Sequence, residues 1–187
     1  MNQLLQLDKQ FFQLINGKWH NSFFDALMPF IRNANFWMPL YLFLLCFAIV
    51  NFKKNTFLWV LFAAGTVFLC NFISSDLIKE NIFRLRPCND PSLAGSINVL
   101  VNYRPQSSSF TSSHATNHFA MATFFYFTMR RIIGKSAILF FAWAALICFA
   151  QVYVGVHFPL DVISGGLIGF VFGYLSARSF NKNYELL

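Results

Sequence analysis

Two histidines and one aspartate carry the strongest chemical signal in this sequence. His157 and Asp161 are four residues apart, with Pro159 between them, and Pro is common in the first turn of a helix. Asp161 would then lie in that turn and accept a hydrogen bond from one ring nitrogen of His157, which leaves the other nitrogen as a nucleophile. His114 lies in the first turn of another predicted helix, where it can give a proton to an outgoing oxygen.

Two basic residues suggest an anion-binding site. Lys79 and Arg86 are seven residues apart, about two helical turns, so both project from one face if the helix continues as far as Pro87. Two like charges on one face are explained by an anion between them. Phosphate fits this role, because Arg can donate two parallel hydrogen bonds to it and Lys supplies a compact positive charge. The alternative is that both side chains reach separately to the membrane interface.

A serine-rich stretch from Ser107 to Ala115 opens an uncharged helix, which Thr111 or Ser112 can cap. Unpaired backbone N–H groups and the helix dipole at such a terminus favour an anion. The alternative is ordinary capping without a ligand.

The sequence offers little for a metal, a cofactor or a disulfide. His118 follows His114 by one turn, a spacing that can bind zinc, but catalytic zinc usually needs a further His or carboxylate ligand. A packing role for His118 is therefore favoured. Three of the four cysteines lie in apolar runs and only Cys88 lies in a predicted loop, so we predict no metal site, no cofactor and no disulfide.

Membrane-spanning helices must position these residues. Of 187 residues, 57% are apolar and 11% are charged, whereas about 25% are charged in soluble domains. Uncharged runs of 20, 21, 25 and 25 residues separate the charges, and about 20 helical residues cross the hydrocarbon of a bilayer. A soluble bundle would need polar helix faces. The predicted fold is an all-α polytopic membrane helical bundle. Five spans are expected, at about 35–52, 56–83, 113–130, 135–155 and 158–178.

The N-terminal segment predicts an amphipathic helix that lies in the membrane interface. Its apolar row recurs at helical spacing: Leu4, Leu7, Phe11 and Ile15. We predict one membrane-embedded domain over residues 1–187, with interfacial helices in 1–33 and a transmembrane bundle in 34–180.

The net charge of +7 is not arranged as a basic stripe on any helix, so it favours lipid headgroups or a phosphorylated substrate over nucleic acid. The short basic loops at 53–54 and 130–135 share one side of a five-span bundle, and the positive-inside rule makes that side cytoplasmic. The three polar clusters then fall together on the outer face of a bacterial inner membrane.

Three motifs in this order resemble the type 2 phosphatidic acid phosphatase superfamily. KENIFRLRP runs from Lys79 to Pro87, and TSSH at 111–114 stands where the family usually has Pro-Ser-Gly-His. AQVYVGVHFPLD at 150–161 corresponds to Ser-Arg, five residues, His, three residues, Asp. The resemblance implies a lipid phosphatase that needs no metal. Membrane members commonly have six spans, and the N-terminal amphipathic helix can stand in for the first.

The resemblance also implies roles for the site residues. His157 would attack phosphorus to form a phosphohistidine, Asp161 would orient His157, and His114 would protonate the leaving group and then activate water. The groups implied to hold the phosphate oxygens are Lys79, Arg86, Ser112, the backbone N–H of Ser113, and Gln151.

Gln151 is the main departure, because the family motif has a phosphate-binding Arg at this position and Gln carries no charge. Arg104, in the long loop 84–112, is the better candidate for the missing cation. Arg84 would point away from the face that the other two cations share on a continued helix.

The small size and outward site favour undecaprenyl diphosphate as the substrate. Lipid A, phosphatidylglycerophosphate and phosphatidic acid remain alternatives, as does phosphoryl transfer between lipids. A lipid-binding or transport protein would follow if Gln151 marks a degenerate site, against which the histidines and the aspartate argue. A vanadium-dependent haloperoxidase is disfavoured by the apolar spans. The expected partners are the substrate and membrane lipids, and the sequence leaves the oligomeric state open.

Overall fold

The computed structural model describes residues 2–184, and this part of the chain is built from helices and loops. The α-helices in chain order are α1 (Asn2–Gln13), α2 (Ser22–Ile31), α3 (Met38–Phe52), α4 (Thr56–Asn71), α5 (Lys79–Asn81), α6 (Ser113–Ile133), α7 (Leu139–Tyr153) and α8 (Pro159–Asn183). A π-helical segment, Phe72–Ile78, joins α4 to α5. The prediction of an all-α membrane bundle is confirmed.

Three helical stretches of the described chain are long and apolar enough to cross a membrane: Ala34–Asn81, Ser113–Tyr153 and Pro159–Asn183. The first stretch turns at Lys53, with φ 46°, and the second at Gly134, with φ 61°. Aromatic pairs then pack α3 against α4 and α6 against α7, so each of these two stretches folds back on itself. Four of the predicted spans correspond to α3, α6, α7 and α8, and the second, 56–83, covers α4, the π-helical segment and α5. The number of bilayer crossings stays a prediction.

A stripe of glycines lets α6 and α8 approach closely. Its members are four residues apart: Gly165, Gly169 and Gly173. A Cβ atom at Gly169 would lie 2.1 Å from the backbone oxygen of Thr116, so only hydrogen fits there. The close approach extends to the start of α6, where the backbone N–H of Ser112 donates to the carbonyl of Asp161 at 3.0 Å.

Replacing Gly169 with Ala is expected to destabilise the protein by about 2 kcal/mol, because the new methyl group has to push two helix backbones apart. Gly65→Ala is the matched control, since Gly65 is also helical and a Cβ there meets nothing within 4 Å. Thermal unfolding of the purified protein in detergent measures both. Equal melting temperatures for the two variants would contradict this account of the stripe.

The N-terminal helix α1 lies against the end of the bundle that holds the first turn of α8. Leu4, Leu7 and Phe11 are exposed, as expected for side chains that face lipid. On its other face Phe12 is fully buried, and its ring packs edge-on against Phe158 with 5.3 Å between centroids. Further along, Asn16 is buried and donates to the carbonyl of Tyr153 at 2.7 Å, which fastens the segment to the bundle.

The prediction that a helix continues from Lys79 to Arg86 is wrong. The helix ends at Asn81, and Arg86 has an extended backbone, with φ −76° and ψ 152°. The backbone N–H of Arg84 donates to the Ser108 hydroxyl at 3.1 Å, and its carbonyl accepts from the N–H of Ser109 at 2.8 Å. The serine-rich loop thus satisfies backbone groups that a continued helix would have paired internally.

Candidate active site

Three segments converge at one end of the bundle: the chain from Lys79 to Arg86, the serine-rich loop with the first turn of α6, and the α7–α8 junction with the first turn of α8. The convergence of the three polar clusters that the sequence predicts is therefore present in the structure. Direct hydrogen bonds link them, because Arg86 contacts both Ser107 and His157.

His157 is buried, and its surroundings define the state of both ring nitrogens. Nη1 of Arg86 lies 3.0 Å from Nε2 of His157. Because a guanidinium can only donate, Nε2 carries the lone pair and Nδ1 carries the proton. Nδ1 lies 3.4 Å from the Ser109 hydroxyl and 3.6 Å from Oδ2 of Asp161. The nitrogen that faces Arg86 is therefore the unprotonated one.

Burial lowers the pKa of His157 to about 4, and the positive charges of Arg86 and Lys79 act in the same direction. Asp161 opposes this shift by favouring the imidazolium. The neutral imidazole dominates at physiological pH, so the Nε2 lone pair is available to attack an electrophile.

Asp161 is fully buried, and its carboxylate accepts several hydrogen bonds. Its Oδ2 accepts from the Ser109 hydroxyl at 2.5 Å and from the backbone N–H of Phe158 at 2.9 Å. Its Oδ1 accepts from Nη1 of Arg84 at 2.6 Å. The prediction that Arg84 points away from the site is wrong, because the helix on which it depended ends before Arg84.

Asp8 of α1 is a second carboxylate bound by Arg84, although the two residues are 76 positions apart in the sequence. The Arg84 guanidinium bridges Asp8 and Asp161, and its carbon lies 4.2 Å from the ring centroid of Phe158. The other carboxylate oxygen of Asp8 accepts from the backbone N–H of Leu160 at 2.8 Å. The N-terminal helix thus helps to fix the carboxylate of Asp161, whose Oδ2 lies 3.6 Å from Nδ1 of His157. No local sequence pattern marks Asp8, because both of its partners are distant.

Arg86 uses all five of its N–H donors. Nε and Nη2 donate to the carbonyl and hydroxyl oxygens of Ser107 at 2.9 and 3.0 Å, and Nη2 also donates to the carbonyl of Ser108 at 3.2 Å. Nη1 donates to the carbonyl of Val156 at 3.2 Å and faces His157. An anion that binds Arg86 must therefore displace one of these acceptors.

The first turn of α6 supplies the remaining predicted groups. Ser112 caps the helix, and its hydroxyl accepts from the N–H of Ala115 at 3.4 Å. The hydroxyl groups of Ser113 and Ser75 lie 2.9 Å apart. His114 is partly buried and lies within electrostatic range of His157. The first amides of a helix have no intrahelical carbonyl acceptor, which suits those that Ser112 does not cap to an anion.

Of the other predicted cations, Lys79 joins the site and Arg104 does not. Lys79 lies within electrostatic range of Arg86 and Asp161. Arg104 is exposed and lines a separate cavity of about 180 Å³ with Cys88. The structure therefore does not bring Arg104 to the position of the cation that the motif lacks.

Gln151 is fully buried, and both polar atoms of its side chain lack a hydrogen-bond partner within residues 2–184. An unsatisfied buried amide costs about 1–3 kcal/mol. Such a cost is retained where the group meets a ligand or an ordered water.

Gln151→Leu is expected to stabilise the protein by about 1–2 kcal/mol, because Leu has a similar volume and no polar atoms to satisfy. The same change should reduce the stabilisation that orthovanadate, a phosphate mimic, gives to the protein. Thermal unfolding with and without vanadate measures both effects, and Gln106→Leu, at an exposed loop position, is the control. A destabilised variant with unchanged vanadate response would assign Gln151 a structural role only.

His118 packs beside the site. Its Nδ1 donates to the carbonyl of His114 at 2.8 Å, and its ring meets the edge of Trp143 with 5.1 Å between centroids. Within the described residues, no three His, Cys, Asp or Glu side chains gather where they could hold a metal ion.

An apolar groove of about 620 Å³ runs between α3, α4 and α6. Most of its lining is hydrocarbon, but Asn71 and Asn117 also line it. Asn117 lies one turn beyond His114 on α6, so this groove leads from the apolar middle of the bundle toward the polar cluster.

Comparison with known proteins places this geometry among membrane phosphatases. The model of the PAP2 superfamily matches residues 56–185. The chain is 30% identical to a lipid A 4'-phosphatase of Porphyromonas gingivalis, over 96% of this chain and 78% of that protein. It is 27% identical to the undecaprenyl-diphosphatase BcrC of Bacillus subtilis, over 92% of this chain and 83% of that protein. The fold matches the crystal structure of a PAP2-type phosphatidylglycerolphosphate phosphatase from Bacillus subtilis, with a TM-score of 0.71, 19% identity, and coverage of 99% of this chain and 89% of the other.

Proposed function

This chain belongs to the PAP2 superfamily of membrane lipid phosphatases, and from that premise we propose that it hydrolyses a phosphate or diphosphate monoester of a membrane lipid through a phosphohistidine at His157. The observation that carries the proposal is the state of His157. Its unprotonated Nε2 accepts from the Arg86 guanidinium, while Nδ1 faces Ser109 and Asp161.

In the first step Nε2 of His157 attacks phosphorus and the bond from phosphorus to the bridging oxygen breaks. The electron pair leaves with that oxygen, which takes a proton from His114. As the N–P bond forms, Asp161 and Ser109 keep the Nδ1 proton in place and stabilise the positive charge that develops on the ring.

In the second step water attacks the phosphohistidine. His114, now neutral, accepts a proton from that water, the N–P bond breaks, and inorganic phosphate leaves. His157 regains its lone pair, and His114 is again protonated for the next turnover.

The non-bridging oxygens meet donors from several segments. Arg86 and Lys79 supply charge, and the first amides of α6, with Ser112 and Ser113, supply N–H and hydroxyl donors. These groups act most strongly as charge shifts onto the oxygens in the transition state. Gln151 contributes a neutral donor where the family motif has Arg.

Undecaprenyl diphosphate is the leading substrate, because the chain is small and its site is proposed to face outward. A second candidate is the 4'-phosphate of lipid A, which the Porphyromonas gingivalis relative favours at 30% identity. In either case the acyl or prenyl chains would lie in the apolar groove that ends near Asn117.

The proposed location is the bacterial inner membrane, with the site at its outer face and the whole chain forming one membrane domain. The basic turns at Lys53 and Gly134–Lys135 lie at the opposite end of the bundle from His157. Their charge favours a cytoplasmic position.

Phosphate release from purified protein tests the proposal. The panel comprises undecaprenyl diphosphate, lipid A, phosphatidylglycerophosphate and phosphatidic acid, each with and without an acceptor lipid. We expect release of inorganic phosphate with undecaprenyl diphosphate as the best substrate. No release of phosphate from any of the four lipids would contradict phosphatase activity. Transfer of the phosphoryl group to the acceptor lipid instead of water would show a phosphotransferase.

A further inference from the structure

A polar cavity of about 420 Å³ adjoins the site on the His114 side. It is bounded by the C-terminal end of α2, by the loop 100–103 and by His114. Arg32, Asn33, Asn102 and Tyr103 supply polar groups to its wall. In the proposed reaction His114 protonates the departing oxygen, so this cavity lies where the leaving group departs.

Arg32 is a buried cation in this wall, with 8% of its surface exposed. Its Nη2 donates to the Tyr103 hydroxyl at 3.3 Å, and the guanidinium lies over the Tyr103 ring at 5.8 Å. Its Nε is buried without an acceptor, and within residues 2–184 no carboxylate forms a salt bridge with it. A buried cation without a counter-charge is costly, so an anionic ligand fits this position.

Arg32 also lies within electrostatic range of the phosphate-binding group. Burial lowers the pKa of Arg86 from its ordinary value, and the charge of Arg32 contributes in the same direction. An anion that spans both arginines would relieve this repulsion. A lone phosphoryl group beside His157 meets Arg86, whereas the cavity lined by Arg32 begins beyond His114.

We infer that Arg32 and its cavity bind an anionic phosphate on the leaving group, so that the site is built for lipid diphosphates. This inference rests on the proposed function and names its substrate class. No local sequence pattern marks Arg32, because its contact with Tyr103 joins residues 71 positions apart.

The chemistry of a diphosphate explains what Arg32 contributes. When Nε2 of His157 takes the terminal phosphorus, the bond to the bridging oxygen breaks and its electron pair stays on the remaining phosphate. The leaving group is then a lipid monophosphate that has gained negative charge, which Arg32 stabilises. A lipid monophosphate instead releases an alcohol, whose oxygen needs the proton of His114 and gains nothing from Arg32.

Farnesyl diphosphate and farnesyl monophosphate test this inference, because they share one tail and differ in the leaving group. Phosphate release is measured for the wild type and for Arg32→Gln, Arg32→Lys and Tyr103→Phe in detergent. Lys18→Gln, which removes an exposed positive charge from the same end of the bundle, is the control. Thermal unfolding of each variant reports on folding.

We expect Arg32→Gln to lower kcat/KM for the diphosphate about 100-fold and to change the value for the monophosphate by less than about threefold. Arg32→Lys should retain part of the diphosphate activity, and Tyr103→Phe, which only frees the guanidinium, should lose about tenfold on the diphosphate alone. Lys18→Gln should match the wild type on both substrates.

Equal losses on both substrates, or no loss on either, would overturn the inference while leaving the phosphatase intact. Wild-type activity on the monophosphate alone would do the same. Wild-type protein that releases phosphate from neither substrate would contradict the proposed function itself. If Arg32→Gln fails to fold, the selectivity of Tyr103→Phe decides the question.

Discussion

Replacing His157 with Gln is expected to abolish phosphate release, with a loss of about 10⁴-fold or more in kcat, as found when a catalytic nucleophile is removed. Gln retains a polar group of similar size that can still accept from Arg86, so the buried pocket keeps a partner for the guanidinium. It has no ring nitrogen that can form a covalent bond to phosphorus.

His20→Gln is the matched control, because His20 lies on the surface near Asp25 and outside the polar cluster. It should retain full activity. A His157→Gln variant that is folded and keeps more than a few per cent of wild-type activity would exclude a covalent intermediate at this residue.

Replacing Arg86 with Lys is expected to lower kcat/KM about 10³-fold, although the charge is kept. The guanidinium makes five hydrogen bonds that join Ser107 and Ser108 to the α7–α8 junction. An ammonium group has three donors on one atom and cannot hold this loop and a phosphate oxygen together.

Arg130→Lys is the control for this change, since Arg130 is exposed and lies over the ring of Phe127 far along α6. Steady-state kinetics of phosphate release compares the two variants. If Arg86→Lys retained activity similar to that of Arg130→Lys, charge alone would suffice and the fork geometry would be unnecessary.

The local features of the fold were predictable because they depend on nearby residues. Pro159 and the glycines that follow Asp161 predict both the start of α8 and its close approach to α6. The long uncharged runs likewise predict the positions of α3, α4, α6, α7 and α8. In each case the physical cause, a terminus signal or an apolar length, lies within one segment of sequence.

The extended segment after Asn81 was not predictable from local sequence. Residues 82–86 contain no Gly or Pro, and the helical spacing of Lys79 and Arg86 favoured a continued helix. Hydrogen bonds from the serine-rich loop, more than 20 positions away, decide the outcome.

For the same reason, local sequence does not reveal that Asp8 and Arg84 form part of the polar cluster around Asp161. Asp8 and Asp161 are each more than 70 positions from Arg84 in the sequence. A single charged residue in an amphipathic N-terminal helix would be expected to face solvent. The missing cation at Gln151 instead led to the prediction that Arg104 joins the site, whereas Arg104 is exposed in the structure.

Trapping of the phosphorylated enzyme tests whether the reaction passes through a phosphohistidine at His157. The protein is mixed with undecaprenyl diphosphate that carries ³²P in its terminal phosphate, quenched in base, digested and analysed by mass spectrometry. A phosphohistidine intermediate predicts an acid-labile phosphate on one peptide at His157 that is absent from His157→Gln. A label on another residue, or turnover of the wild type with no label, would contradict it.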